Sequence, residues 1–224
     1  MTRAVRWFGL VLFMASIGLL GWWWAHLASV GGVGVSWSAA VVDGALFSAF
    51  ALHHSVLARS SARSLVERVV AADLARTVYV CVASLLLAGM CLLWRPVGGL
   101  VYHASGLTAA VLGIVQISGG VIAVLAVRRI SVRELSGLSG PRPTDELQHG
   151  GPYGLVRHPL YLGWVLLLFG TATMTGDRLV FATISTAYLL LAMPFEEAGL
   201  LAQFGERYLE YRREVRWRLV PYVH

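Results

Sequence analysis

Gly151, Pro152 and Tyr153, followed by Arg157, His158, Pro159, Tyr161 and Gly163, open an apolar stretch that ends at Glu196 and Glu197. A guanidinium, an imidazole and two carboxylates thus stand at one end of two consecutive apolar segments. Ionisable groups bordering lipid are costly, so their presence points to function. This mixture of charges suits a small zwitterionic or anionic ligand at the membrane surface. Pro159 fits the first turn of a helix, where its missing N–H would have had no partner, and His158 then falls at the cap. The N–H groups of that turn, together with Arg157, would present a positive pocket to a carboxylate or phosphate.

Several elements must position these groups. The longest polar connection, residues 128–158, carries the strongest turn signals: Ser139-Gly140-Pro141-Arg142-Pro143 cannot continue a helix, and His149-Gly150-Gly151-Pro152-Tyr153 has a backbone able to lie close to a ligand. Two short apolar segments, roughly 17 residues and about 26 Å each, then form a hairpin that turns at Thr175-Gly176-Asp177. The hairpin returns the chain to Pro194, Glu196 and Glu197, on the side it left. A C-terminal amphipathic helix follows, with Leu200, Phe204, Tyr208 and Tyr211 on one face by their three-to-four spacing. Such a helix can lie along the membrane and roof the site.

Composition sets the setting. Of 224 residues, 57% are hydrophobic and 13% charged, with a mean hydropathy of +0.69, whereas a soluble domain carries about 25% charged residues. Six membrane spans are expected, at 7–29, 37–57, 77–94, 107–127, 159–175 and 179–195, so the chain is predicted to be an all-α polytopic membrane protein. All 18 basic residues are arginines. With the N-terminus inside, six spans put every arginine but Arg95 and Arg178 in cytoplasmic segments, and an odd number of spans destroys that agreement. Both termini are therefore expected in the cytoplasm. The net charge of +6 reads as topology and attraction to anionic lipid, not nucleic-acid binding. The first span reads as a retained helix and not a cleaved leader, with Trp22-Trp23-Trp24 as an anchor at the far interface.

Other polar residues receive structural readings. Cys81 and Cys91 fall inside the third span and are expected to fill core space. Gln116 and Ser118 are expected to bond between helices beside Gly119-Gly120. Asp43 lies near the outer start of the second span and is not assigned to the site. No metal is expected, because His53 and His54, being adjacent on a helix, point in different directions. No repeat or low-complexity linker is visible, so residues 1–224 read as one domain, with the ligand-binding part at about 145–215.

Gly151-Pro152-Tyr153, Arg157-His158-Pro159-x-Tyr161-x-Gly163 and Glu196-Glu197-x-x-Leu200-x-x-x-Phe204-Gly205-x-x-Tyr208-x-x-Tyr211 resemble the isoprenylcysteine carboxyl methyltransferase and phospholipid methyltransferase superfamily. Upstream, the stretch from Phe50 through His53-His54-Ser55 to Arg59, Trp94-Arg95-Pro96 and Arg133-Glu134-Leu135-x-Gly137-Leu138 are similar to its bacterial branch of methanethiol S-methyltransferase and NnrU-like proteins. The resemblance implies a bacterial inner-membrane enzyme that uses S-adenosylmethionine at the cytosolic face. Its acceptor would be a small thiol such as methanethiol. The enzymatic alternatives are an isoprenylated cysteine carboxylate or a phospholipid amine, and the alternative of another class is a noncatalytic NnrU-like membrane component. By resemblance, Arg157 and His158 engage the methionyl end of the cofactor, Tyr153 and Tyr161 border it, and Glu196 or Glu197 holds its ammonium group.

His54, Ser55 and Arg59 fall at the cytoplasmic end of the second span, the side of Arg157. A neutral His54 is suited to take a proton from a thiol, and arginines such as Arg59 favour the thiolate. The competing reading is that the histidines and Ser55 satisfy a helix end while Arg59 anchors to lipid phosphates. His54, Arg59 and Glu197 are the candidate catalytic residues.

Overall fold

The computed structural model describes residues 2–27, 34–57, 70–129 and 147–223. Among them are seven α-helices: α1 (Thr2–His26), α2 (Trp37–Leu57), α3 (Ala72–Leu93), α4 (Gly106–Val127), α5 (Pro159–Phe169), α6 (Gly176–Phe204) and α7 (Glu206–Glu214). A 3-10 turn covers Gly151–Gly154, and two short strands, β1 (Leu100–His103) and β2 (Thr173–Thr175), pair as a small sheet. Five helices, α1, α2, α3, α4 and α6, are long and apolar enough to cross a membrane. Trp7, Phe8 and Val11 on α1 and Leu107, Ile114 and Ile117 on α4 are exposed, which water penalises and lipid accepts. The protein is therefore an all-α membrane protein.

Two elements differ from expectation. The fifth apolar segment is helical for only 11 residues, about 16 Å, and does not run to Thr175. It ends where Gly170 approaches α4 so closely that a Cβ there would lie 2.6 Å from Gln116 N; the following segment is tied by Tyr102, whose hydroxyl donates to Thr171 O at 3.0 Å. The sixth helix is longer than expected, 29 residues running through Pro194 to Phe204. Leu200 and Phe204 therefore sit on α6, and the amphipathic helix proper, α7, starts only after Gly205. That residue has φ 56° and ψ −127°, a combination open to glycine and strained for any side chain.

The chain divides into two compact units. Among the described residues, the first comprises 2–27, 34–57, 70–101 and 175–184; the second comprises 102–129, 147–174 and 185–223. In the first, α3 packs against α1 and α2. Its polar centre is Asp177, whose carboxylate accepts Trp94 Nε1 (2.9 Å), Val97 N (2.8 Å) and Gly98 N (3.0 Å). Three donors compensate the desolvation of a fully buried carboxylate. Nearby, Asp43 accepts Arg95 N at 2.9 Å, a structural role in keeping with its omission from the site. Arg178 donates to Trp24 O and lies 4.9 Å from the Trp24 ring centroid. The tryptophan cluster is only partly the anchor expected of it. Trp22 is exposed, but Trp23 is buried edge-on against Trp94 and Phe181, because aromatic area gains more in this core than at an interface. Cys91 is buried and Cys81 half-buried on α3.

In the second unit α4 and α5 interlock through glycines. A Cβ at Gly119 would lie 2.7 Å from Gly163 O, and one at Gly163 would lie 2.7 Å from Gly119 O. Absent side chains let the backbones touch, as is common where helices associate in lipid. Gln116 Nε2 donates to Leu167 O at 3.0 Å, the interhelical bond expected of it. Ser118 is exposed. This seam fixes the start of α5, where the chemistry-bearing residues lie.

Candidate active site

The peptide before α5 is held by the C-terminal segment. Arg157 N donates to Trp217 O and His158 N to Arg218 O, both at 2.9 Å, so residues 157–158 and 217–218 run side by side. His158 occupies the N-cap of α5 through its backbone, its carbonyl accepting Leu162 N, but its side chain does not cap the helix. The imidazole turns instead to α6: Nδ1 lies 3.3 Å from Glu196 Oε2 and Nε2 lies 3.4 Å from Glu197 Oε1. Its ring also stacks on Tyr161, centroids 5.2 Å apart.

Arg157 is the hub. The residue is 8% exposed, and its guanidinium donates from Nε to Glu197 Oε1 at 2.7 Å and from Nη1 to Val215 O and Arg216 O at 2.9 and 2.6 Å. Ionic partners buried together must satisfy each other, since a lone buried charge costs several kcal/mol. A second arginine, Arg218, brings Nε to 3.5 Å from Glu197 Oε2. The sequence motifs thus meet as expected: Arg157 and His158 from the start of α5 and Glu196-Glu197 from α6 form one cluster. The two carboxylates lie within α6 and not at the start of the terminal helix.

Tyr153 and Tyr161 complete the rim. The Tyr161 hydroxyl hydrogen-bonds Glu196, and Tyr153 O accepts the Tyr211 hydroxyl at 2.8 Å, which fastens α7 to the 3-10 turn. Burial, reinforced by the charge of Glu196, pushes the Tyr153 phenol up to about 12, so it stays neutral at ordinary pH. Gly151 has φ 62°, and a Cβ there would lie 3.3 Å from Arg129 Nη2; this glycine supplies both the turn and the space for a guanidinium. Beneath the rim, Tyr208, Tyr211 and Val215 form a buried cluster packed by Leu147, Leu200 and Phe204. The expected apolar face therefore exists, but it is assembled from two helices. Burial and the neighbouring Glu197 push the Tyr208 phenol up to about 12.

Two buried polar atoms of this cluster lack a well-formed hydrogen bond: the Tyr208 hydroxyl has no partner among the described residues, and His158 Nε2 has only the 3.4 Å approach of Glu197 Oε1. Alongside them Glu196 offers a half-exposed carboxylate. The residues present therefore fit the polar, cationic end of an amino-acid-bearing cofactor.

His54 belongs to the first unit. Its Nδ1 is 2.7 Å from the Tyr79 hydroxyl, and both its ring and that of His53 contact the Tyr79 ring. Arg76 lies 5.2 Å from the Tyr79 ring centroid. Where Nδ1 carries the proton and the Tyr79 oxygen accepts it, Nε2 is left as the basic nitrogen. Tyr79 carried no signal of its own, being one aromatic within an apolar span. Arg59, Arg133, Glu134, Gly137 and residues 139–143 lie outside the described residues.

Comparison with known proteins is consistent with this geometry. Residues 107–207 match the phospholipid methyltransferase family. The chain is 36% identical over 196 residues to the methanethiol S-methyltransferase of Pseudomonas deceptionensis, spanning 82% of this chain and 74% of that protein. It is 33% identical over 195 residues to the methanethiol S-methyltransferase of Crocosphaera subtropica, spanning 83% and 76%. A shorter likeness, 34% over 68 residues and 29% of each chain, links it to the protein-S-isoprenylcysteine O-methyltransferase of Schizosaccharomyces pombe. No solved structure matches significantly.

Proposed function

We propose that this chain, which belongs to the phospholipid methyltransferase family and is an integral membrane methyltransferase, moves a methyl group from S-adenosylmethionine to the sulfur of a small thiol such as methanethiol. The observation that carries the reading is the meeting of Arg157, His158 and Glu197 in one buried cluster beside a half-exposed Glu196, in a chain 36% and 33% identical to two methanethiol S-methyltransferases over 82% and 83% of its length. The arginine distribution supports both termini cytoplasmic and the cluster on that side, and the likeness to bacterial enzymes supports an inner-membrane setting. Residues 1–224 act as one catalytic domain.

S-adenosylmethionine, when bound, supplies a methyl group on a sulfonium, open to in-line displacement by sulfur. The protein's task is then to hold two reactants in line and exclude water, which accounts for much of such a rate. Glu196 takes the ammonium of the methionyl end, and Tyr161 and His158 hold the Glu196 side chain in place. Tyr153 stays a neutral hydroxyl at the rim. Arg157 acts through Glu197 and the C-terminal carbonyls, fixing the wall behind the cofactor. His54 Nε2 takes the thiol proton, and Arg59 favours the thiolate.

Calorimetric titration of detergent-purified protein with S-adenosylhomocysteine tests the cofactor, and headspace detection of dimethyl sulfide from methanethiol tests the acceptor. Micromolar binding, weakened at least tenfold in Glu196→Gln, and thiol-dependent product are expected. Binding with transfer to a prenylcysteine or a phospholipid amine and not to methanethiol would refute the acceptor. No binding by folded protein would refute the enzyme reading and favour a noncatalytic component.

A further inference from the structure

A zwitterionic ligand needs a cation for its carboxylate as well as an anion for its ammonium, and Arg157 is poorly placed to be that cation. It is buried, and its Nε and Nη1 are bonded to Glu197, Val215 O and Arg216 O. Two oppositely charged side chains of the same cluster remain half open: Glu196 and Arg218, each 47% exposed. Both are tethered to His158. Arg218 O accepts the His158 N–H, while Glu196 Oε2 faces His158 Nδ1. Arg218 Nε is drawn toward Glu197 Oε2, which leaves its two terminal nitrogens as the edge that takes a carboxylate in bidentate fashion. Tethering of this kind lowers the ordering cost of binding.

We propose that Arg218, eleven positions beyond the matched residues 107–207, is a cofactor-binding residue: it holds the α-carboxylate of S-adenosylmethionine while Glu196 holds the ammonium. This assignment rests on the methyltransferase reading above. It gives the segment after α7 a role in recognition, where its arginines otherwise count only toward topology.

The test compares two ligands differing only in the carboxylate, S-adenosylmethionine and its decarboxylated form, on wild type, Arg218→Ala and Arg218→Lys. A charge-assisted bidentate contact predicts that wild type prefers the carboxylated ligand by about 10- to 100-fold. Arg218→Ala is expected to lose that preference while binding the decarboxylated ligand as wild type does, which a merely structural defect would not produce. Arg218→Lys is expected to fall between. If wild type binds S-adenosylmethionine and Arg218→Ala keeps the full preference, the Arg218 assignment is overturned and the methyltransferase reading stands. If wild type binds neither ligand, the methyltransferase reading falls and takes the assignment with it.

Discussion

Removing the Arg157 side chain tests whether it is a structural hub. Arg157→Ala deletes a 2.7 Å bond to a carboxylate in which both partners are 6% exposed, together with the donors to Val215 O and Arg216 O. Stranding one member of a buried ion pair costs about 3–5 kcal/mol. Arg218, 3.5 Å from the other Glu197 oxygen, still faces that charge and offsets part of the loss, which places the expectation at the lower end, about 3 kcal/mol. For a chain of this size that corresponds to a Tm lowered by about 6–12 °C. The assay is thermal unfolding in mild detergent followed by tryptophan fluorescence, with limited trypsin digestion alongside. Release of residues 215–218 should open cleavage after Arg216 and Arg218 well below the Tm. The double variant Arg157→Ala/Glu197→Ala should lose less than the sum of its parts, because no buried charge is left alone. An Arg157→Ala protein with a Tm within about 1 °C of wild type and an unchanged digest would refute the reasoning.

Three further expectations follow from the same geometry. Asp177→Ala leaves Trp94 Nε1, Val97 N and Gly98 N without their acceptor, and should lower stability by about 3 kcal/mol or more; an unchanged Tm would mean that water replaces the carboxylate. Gly119→Ala places a methyl 2.5 Å from Leu167 N and should cost about 1–3 kcal/mol by forcing α4 from α5, whereas Gly113→Ala, with open space around its Cβ, should be tolerated in the same unfolding assay. His54→Ala should lower thiol methylation by about 100-fold or more with cofactor affinity unchanged, and Tyr79→Phe, which removes the 2.7 Å partner of Nδ1, should shift the pH profile of turnover; full activity in His54→Ala would remove the base.

The membrane helices and much of the cluster were legible from residue order alone. Hydropathy is a local quantity, so long apolar runs announce helices that must satisfy their own backbone in lipid. The pairing of Arg157 and His158 with Glu196 and Glu197 followed from counting two consecutive apolar segments, since a chain that crosses and returns must bring its ends to one side. Residue order could not tell where Arg157 would spend its donors. Two of its acceptors are backbone carbonyls, at Val215 and Arg216, and every residue carries an identical carbonyl, so no side-chain pattern marks those that are used. For the same reason Arg218 looked like one more arginine on the cytoplasmic side.

Close approach was equally hidden. Glycines at 119, 163 and 170 are visible as letters, but only the packing of α4 on α5 turns them into contacts that end α5 at Phe169. Trp23 went to the core and Trp22 to the outside, because successive helix positions are set about 100° apart and the neighbour, not the residue type, decides which one is covered. Gly205 separated α7 from α6 within a stripe that spacing had read as one continuous face. What residue order determined was the solvent each segment requires and the charges that must share a side. What tertiary structure decided was which of those charges are committed to each other and which stay open to a ligand, because that depends on atoms brought together from positions as far apart as 157 and 216.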